Sequence, residues 1–476
     1  ALAASMQTLA IAATVITTGL MADRLGRRNV LMGALLVGAA GTIVVSIAAA
    51  TWMYFLGMAI VGIGLGAVYG ASFAYLKAVV APDKLAGALG VFTAVLMVAT
   101  LVLTFVGGAL TSVNWRVAFL IFPVVNVIGF FLVPLILPKQ PRVKGGSLDV
   151  LGQLLLAIGV VSFLYGGSHL AKSLTAPGTL IPIILGVVLL VAFAVWESKY
   201  PGHFFPMELF RSPVFLAAIC LGFLYNFGNS VAFLQATNLW QYVNGLKTSE
   251  VSVWQLPLML AGIVGGLLTG RMMAKGMTNR TAGFIGGSMT TIGFVFLALL
   301  HSSKGLLGFV PGLVLVGGGV VVASVPFGNL ILREAPAKFL GPVSSSRTTF
   351  GQFFYSLCFA LSTVMIDKMT DGGIVKRLTE AGVQPNQIST GLDAVSAYAS
   401  TGTAPSTSVG QQALTDAVTS YGGAFRNTML IVAVVLALMT LLSSFLLRKG
   451  EGEPQPVHNH ENPPPADDAV PAPASA

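Results

Sequence analysis

Charged residues are scarce in this sequence of 476 residues: Lys, Arg, Asp and Glu make up 9% of it, against about 25% in soluble domains. A soluble chain of this length needs a more highly charged surface, so the composition argues against a soluble enzyme and a disordered scaffold. The basic residues do not cluster on one element, which argues against nucleic acid as a partner. The two cysteines, Cys220 and Cys358, lie in apolar stretches and predict no disulfide framework.

Apolar residues make up 55% of the chain and form long stretches. About 20 predominantly apolar residues cross a bilayer as a helix, whereas the strands of membrane barrels alternate polar and apolar residues in segments of about ten. The sequence therefore predicts an all-α polytopic protein embedded in a lipid bilayer. The thirteen predicted spans are 1–19, 29–50, 52–76, 86–111, 117–137, 148–168, 179–196, 213–236, 251–270, 282–300, 306–332, 342–366 and 424–447.

The positions of Lys and Arg predict the orientation. Every second loop, beginning with 20–28, together with the start of the tail, holds 17 of the 26 basic residues, and the opposite loops hold 8. Cytoplasmic loops carry the excess of Lys and Arg, so these loops and the C-terminus are predicted to be cytoplasmic. Residue 1 then lies outside, within an apolar pattern, and we expect one further helix before it. The alternative, a signal-peptide core at 1–19, lacks a basic n-region.

A short motif occurs twice, each time at the end of a predicted span. The first loop reads GLMADRLGRR over 19–28, and GLLTGR stands at 266–271, so Gly-Leu-x-x-x-Arg recurs after 247 residues. This loop resembles the signature loop of the major facilitator superfamily, whose two parallel halves are related by an axis along the membrane normal. The wider layout resembles the fourteen-span drug:proton antiporter-2 family (EmrB/QacA-type multidrug exporters).

Three features carry the narrower resemblance: NWRVAF at 114–119, two additional helices within 148–196, and a long external loop at 367–423. The resemblance implies a major-facilitator fold of two six-helix bundles plus two intervening helices, with fourteen spans in all. The implied domains are an N-terminal bundle without its first helix (1–137), two linking helices (138–212), a C-terminal bundle that includes the external loop (213–447), and a disordered cytoplasmic tail (448–476).

The first loop contains one of the few acids near the predicted membrane, Asp23. In the family that it resembles, the equivalent acid caps a helix N-terminus of the opposite half and steadies the outward-facing state; a helix N-terminus attracts negative charge. The candidate partner is the helix that starts at Gly341, because Pro342 suits a first helical turn. The arginines of the loop would meet anionic lipid headgroups, and the alternative is that the loop is only a positive-inside turn. The predicted gate loop comprises Gly19, Asp23, Arg24, Gly26, Arg27 and Arg28.

Polar and aromatic side chains inside the predicted spans are candidates for a substrate cavity between facing helices. Asn229 follows Tyr225 by four residues and Asn226 by three, so the three side chains are expected on one helix face; hydrogen bonding between helices is the alternative. Arg347 is the only basic residue well inside a span, and snorkelling to the interface is its alternative. Gln352 and Tyr355 are candidates that could face the cavity together with Arg347, and the further candidates are Thr104 and Tyr69, for which packing or helix contact is the alternative.

Two elements that the family links to proton antiport are altered here. The fourth helix of the family carries an Arg where this sequence has Met58, and the fifth carries Gly-Pro where this sequence reads LTFVGG at 103–108. Proton coupling needs a titratable group in the protein-lined membrane interior, and none of the 17 acids lies deep in a predicted span. Either the coupling carboxylate lies in the helix expected before residue 1, or the protein is not driven by protons.

The resemblance implies a secondary transporter of the bacterial inner membrane that exports drugs or other amphipathic or hydrophobic compounds in exchange for protons. A periplasmic adaptor protein is a further partner that the family suggests. The alternatives are a facilitator or symporter for solute uptake and a transport-inactive scaffold or sensor. The sequence predicts no enzyme, cofactor or metal site: it has no Walker motif, and His458 and His460 lie in a Pro-rich tail.

Overall fold

The computed structural model of the chain describes residues 2–81, 84–139, 149–170, 175–200, 203–300, 305–401 and 405–450. The tail that the sequence predicts to be disordered lies, from residue 451 on, outside these described residues. The helices are, in chain order, α1 (Leu2–Leu25), α2 (Arg27–Ser46), α3 (Thr51–Val79), α4 (Leu85–Val113), α5 (Trp115–Ile136), α6 (Val150–His169), α7 (Pro177–Lys199), α8 (Pro213–Tyr242), α9 (Thr248–Trp254), α10 (Leu256–Ala274), α11 (Asn279–Leu300), α12 (Val310–Glu334), α13 (Leu340–Glu380), α14 (Pro385–Thr401) and α15 (Ser408–Gly450).

Thirteen candidate membrane spans are found among the described helices, which confirms the predicted all-α polytopic fold. One predicted span is interrupted. The stretch predicted as one continuous helix over 251–270 is divided into α9 and α10 at Gln255. Pro257 stands in the first turn of α10, where it has no backbone N–H to donate to the preceding turn. The helix therefore ends and restarts within the span.

Consecutive spans run in opposite directions, so the loops fall at two ends of the molecule. We name these the Asp23 end and the Arg116 end. At the Asp23 end, α1 and α2 are joined by Gly26 with φ of 95°, a left-handed conformation that favours glycine. At the Arg116 end, the Asn114 side chain accepts a hydrogen bond of 2.9 Å from the backbone N–H of Arg116 and so caps α5.

Helices α1–α5 form one half of the molecule, and α8–α13 with α15 form the other. Within the first half, α1 packs closely on α3 because glycines line the contact: a Cβ at Gly62, Gly66 or Gly70 would lie 2.5, 2.6 or 2.8 Å from an atom of α1. The two halves meet chiefly along α1 with α13 and along α4 with α10. Helices α6 and α7 pair with each other, and α6 lies against α1 and α13.

The segment predicted as an external loop between the last two spans, 367–423, is largely helical over its described residues. Helix α13 continues to Glu380, α14 follows, and α15 begins at Ser408. These parts form a small hydrophobic core of their own at the Arg116 end, made by Ile374, Leu378, Ile388, Ala413 and Ala417. Amphipathic sequence on both sides of the loop therefore extends the two membrane helices beyond the apolar spans.

Candidate functional site

The carboxylate of Asp23 connects the two halves at the Asp23 end. It is 4% exposed, and one oxygen accepts a hydrogen bond of 2.6 Å from the backbone N–H of Gly341 in the first turn of α13. The other oxygen accepts hydrogen bonds of 2.7 and 3.1 Å from the Arg27 guanidinium. Asp23 thus meets the partner helix that the sequence predicts, with its negative charge at the positive end of the α13 dipole.

Glycine allows this approach of α1 to α13. A Cβ on Gly341 would lie 2.5 Å from a carboxylate oxygen of Asp23, and a Cβ on Gly19 would lie 2.8 Å from the Gly341 carbonyl oxygen. The remaining arginines of the loop have other surroundings: Arg28 donates to the Leu137 carbonyl at 3.4 Å, within the first half, and Arg24 is half-buried. The direct contact of the predicted gate loop with the second half that the described residues show is therefore made by Asp23 and Gly19.

Lys77, which the sequence analysis did not single out, makes a second contact between the halves at the same end. Its Nζ, near the end of α3, donates to the carbonyls of Leu332 and Ala335, the latter at 2.9 Å. These carbonyls lie at the C-terminus of α12, where helix carbonyls lack intrahelical partners and positive charge is favourable. We call the Asp23–Gly341 and Lys77–Leu332/Ala335 contacts together the polar junction.

The second meeting place of the halves, between α4 and α10, is built of glycine backbone. A Cβ on Gly90 would lie 2.6 Å from the Cα of Gly270 and 2.7 Å from the carbonyl oxygen of Gly266. Such distances are shorter than real Cβ contacts, so only glycine fits. We call this contact the glycine junction. Gly266 and Gly270 belong to the second copy of the repeated motif, and Gly270 stands where the first copy has Asp23.

Arg347 lies between the halves. It follows Gly341 by six residues, which is somewhat less than two helical turns or roughly 9 Å along α13. Its guanidinium carbon is 4.3 Å from the ring centre of Phe73 in α3 and 4.9 Å from that of Phe327 in α12. Both rings are 1% exposed. The side chain is therefore held inside the bundle by one aromatic ring from each half, instead of snorkelling to the helix end.

Two tyrosines from different halves accompany this guanidinium. Tyr69 of α3 and Tyr225 of α8 are close enough to interact electrostatically with Arg347 and with each other. The neighbouring Asn226 donates to the Gly222 carbonyl at 2.8 Å and faces α13, since a Cβ on Gly351 would lie 3.0 Å from its side-chain oxygen. The structure thus brings together three of the predicted cavity residues, and we call Tyr69, Tyr225 and Arg347 with Phe73 and Phe327 the central cluster; Asn226 lies beside it.

The other cavity candidates are not part of the central cluster. Asn229, Gln352 and Thr104 are half-buried, and no hydrogen bond involving their side chains is found among the described residues. Tyr355 is 47% exposed and lies two further turns along α13 from Arg347. Phe73 and Phe327, in contrast, belong to the cluster although the sequence analysis missed them, because aromatic residues in apolar spans do not differ in pattern from ordinary packing residues.

Two buried acids lie where the linking helices reach the Asp23 end. Asp149 accepts a hydrogen bond of 3.0 Å from the Trp196 indole N–H and one of 3.0 Å from the backbone N–H of Gly152. Glu197 is 3% exposed; one oxygen accepts from the Phe204 N–H at 3.4 Å, and the other has no hydrogen-bond partner among the described residues. Both acids lie at span ends, as their sequence positions indicate, and neither contacts Arg347.

Two helical halves that meet around a buried polar and aromatic cluster, with thirteen candidate membrane spans among the described helices, are typical of a multi-pass membrane transporter. A family model described as Major Facilitator Superfamily matches residues 1–359. The chain therefore belongs to the major facilitator superfamily, whose members contact the lipid bilayer and small-molecule substrates.

Individual relatives agree with this membership. An uncharacterised MFS-type transporter of Mycobacterium tuberculosis is 26% identical over 345 residues, which span 71% of this chain and 49% of that relative. The multidrug transporter protein MdtP of Bacillus subtilis is 25% identical over 369 residues, spanning 76% of this chain and 66% of MdtP. The chain thus spans about half to two thirds of the length of these relatives.

Solved structures show the same fold at low identity. The human organic anion transporter MFSD10 superimposes with a TM-score of 0.59 at 14% identity, covering 93% of this chain and 83% of the other. The proton:xylose symporter XylE superimposes with a TM-score of 0.58 at 11% identity, covering 94% and 85%. At these identities the likeness establishes the fold alone.

Proposed function

We propose that this protein is a secondary active transporter of the bacterial inner membrane that exports drugs or other amphipathic compounds by alternating access. The observation that carries the proposal is the central cluster, in which side chains from both halves surround one point inside the bundle. A site at the interface of two halves can face either side of the membrane as the halves rock. Relatives named as multidrug transporters support drugs as the substrate class.

In this proposal the polar junction is the gate on the cytoplasmic side. The excess of Lys and Arg at the Asp23 end supports a cytoplasmic location for that end. The negative charge of Asp23 lies at the N-terminus of α13, and the positive charge of Lys77 lies at the C-terminus of α12. Each charge is favourable at the helix end that it contacts. Release of both contacts would free α12 and α13 to move away from α1 and α3, which opens the cluster to the cytoplasm.

We further propose membership of the fourteen-span drug:proton antiporter family and coupling to proton influx. The linking pair α6–α7 between the halves supports this assignment. A facilitator without proton coupling is the second candidate, and buried Met58 supports it, because this apolar side chain stands in α3 where the family carries Arg.

Transport into inverted membrane vesicles tests the proposal. Vesicles that contain the protein are expected to accumulate a fluorescent amphipathic compound, either the cation rhodamine 6G or the anion 8-anilinonaphthalene-1-sulfonate, when a proton gradient is present. Dissipation of the gradient should abolish accumulation if the protein is an antiporter, whereas a facilitator only equilibrates the compound across the membrane and should not respond to the gradient. Vesicles with the protein that transport no amphipathic compound, under either condition, would contradict the proposed function.

A further inference from the structure

We propose that the central cluster binds the anionic group of its substrate, so that the exported compounds are organic anions with an aromatic or apolar body. This inference rests on the proposed function and narrows it, because it names a charge for the substrate. It concerns Arg347, Tyr69 and Tyr225, which come from α13, α3 and α8 and so from both halves.

No counterion for the charge on Arg347 is found among the described residues, because neither of their two ion pairs includes it. Tyr225 and Tyr69 are close enough to interact with it electrostatically. A buried charge without a partner is strongly unfavourable, and an ionisable side chain within a membrane bundle generally marks a substrate or ion pathway. Two ring faces reduce this cost, but they leave the charge itself uncompensated.

The hydrogen-bond donors of the cluster also lack acceptors. A guanidinium has five N–H donors at its edge and no acceptor, and no hydrogen bond from Arg347 is found among the described residues. Its Nε is fully buried and unpaired. The rings of Phe73 and Phe327 cover the faces of the guanidinium and cannot accept from its edge in the way an oxygen does. A carboxylate or sulfonate supplies two oxygens in the geometry that a guanidinium edge prefers.

The surroundings of the cluster favour an amphipathic anion over a small hydrophilic one. Phe73 packs edge-on against Phe92 of α4 with ring centres 5.1 Å apart, and Leu89 lies beside the backbone of Gly328 next to Arg347. These walls are apolar and close to the guanidinium. An anion with an aromatic body can therefore bury that body against them, while an inorganic ion would lose its hydration without this compensation.

Binding to the purified full-length chain in detergent is the direct test, with 2-naphthoate and its neutral counterpart 2-naphthamide as probes. Thermal unfolding is followed with a fluorogenic maleimide that reacts with buried Cys358 as it becomes exposed. We expect 2-naphthoate, and not 2-naphthamide, to raise the melting temperature of the wild-type protein. Equal effects of the two probes, or no effect of either, would overturn the inference.

Variants identify the residue responsible. Arg347→Gln is expected to weaken 2-naphthoate binding at least about tenfold, since it removes charge-assisted hydrogen bonds. Arg426→Gln is the matched control, because Arg426 is exposed at the Arg116 end. If Arg347→Gln does not fold, Tyr225→Phe serves instead and should weaken binding about fivefold. Unchanged 2-naphthoate binding in the folded variant would show that Arg347 only braces the two aromatic rings, and would refute the site.

Transport of the same probes separates this inference from the proposed function. If vesicles accumulate rhodamine 6G but 2-naphthoate neither binds nor competes, the transporter assignment stands and the anion site is wrong. If 2-naphthoate binds through Arg347 but no amphipathic compound is transported, the anion site stands and the export function is wrong.

Discussion

The two places where the halves of the molecule meet at the Asp23 end differ in chemistry. At the polar junction, a carboxylate and an ammonium group reach 2.6 and 2.9 Å from backbone atoms of the other half. At the glycine junction, backbone meets backbone at Gly90 and Gly270 without any side chain between them. The repeated motif places Asp23 and Gly270 at corresponding positions. This position carries a charged side chain in the first half and no side chain in the second.

This difference indicates separate tasks for the two junctions. Charge–dipole contacts are worth about 0.3–2 kcal/mol each and are exchanged for hydration when they open, so they suit a contact that breaks during a transport cycle. Water does not replace the van der Waals contacts of closely packed backbone in this way, because separation of the two helices leaves a void or admits lipid. We infer that the glycine junction keeps the halves together while the polar junction opens and closes.

The largest effect is expected from a methyl group at the glycine junction. Gly90→Ala places a Cβ 2.6 Å from the Gly270 Cα, and since backbone cannot move aside, the halves must separate. We expect destabilisation of at least about 3 kcal/mol and loss of transport. Gly87→Ala, one turn away, is the control, because its Cβ would have 3.7 Å to the nearest atom. Similar melting temperatures and transport rates for the two variants would show that the glycine junction is not tightly packed.

A smaller effect is expected from the charge at the polar junction. Asp23→Asn keeps an acceptor for the Gly341 N–H but loses the negative charge and the Arg27 ion pair. The closed state should weaken by about 1–2 kcal/mol, which is about a five- to thirtyfold change in its population.

The readout is labelling of Cys introduced at buried Ser346, in a background without Cys220 and Cys358, by a membrane-impermeant maleimide added from the Asp23 side. Labelling should accelerate in Asp23→Asn and change little in Arg28→Gln, since the hydrogen bond found for Arg28 among the described residues is to Leu137 of its own half. Equal labelling rates in wild type and Asp23→Asn would remove Asp23 from the gate.

The sequence alone predicts the partner of Asp23 but not the partners of Lys77. The partner of Asp23 could be named in advance, because a lone acid in a basic loop and a Pro-containing helix start at Gly341 are both local signals. The partner of Lys77 could not: it lies 255 residues away, and a lysine at the end of a span already has an explanation in membrane orientation.

The same reasoning applies to the central cluster and to the fold. Arg347 is conspicuous in sequence because basic residues are rare in membrane spans, and Tyr69 and Tyr225 are polar enough to be noticed. Phe73 and Phe327 become recognisable only when three-dimensional packing places them against the guanidinium. The helical spans follow from hydropathy, whereas the packing of α13 against α14 and α15 is not reported by hydropathy.

The smallest effect is expected from Lys77, and it tests whether the polar junction is one unit. Lys77→Met removes the hydrogen bonds to Leu332 and Ala335 and should weaken the closed state by about 1 kcal/mol, less than Asp23→Asn because Lys77 is half-buried and its carbonyl partners can turn to water. Lys84→Met is the control, since Lys84 is exposed at the same end.

Because Asp23 and Lys77 hold the two ends of one connection between α12 and α13, release of either should already loosen the other. The double variant should therefore accelerate labelling at position 346 by less than the product of the two single effects. Strictly multiplicative effects would mean that Asp23 and Lys77 act independently, and the polar junction would then be two separate contacts instead of a single gate.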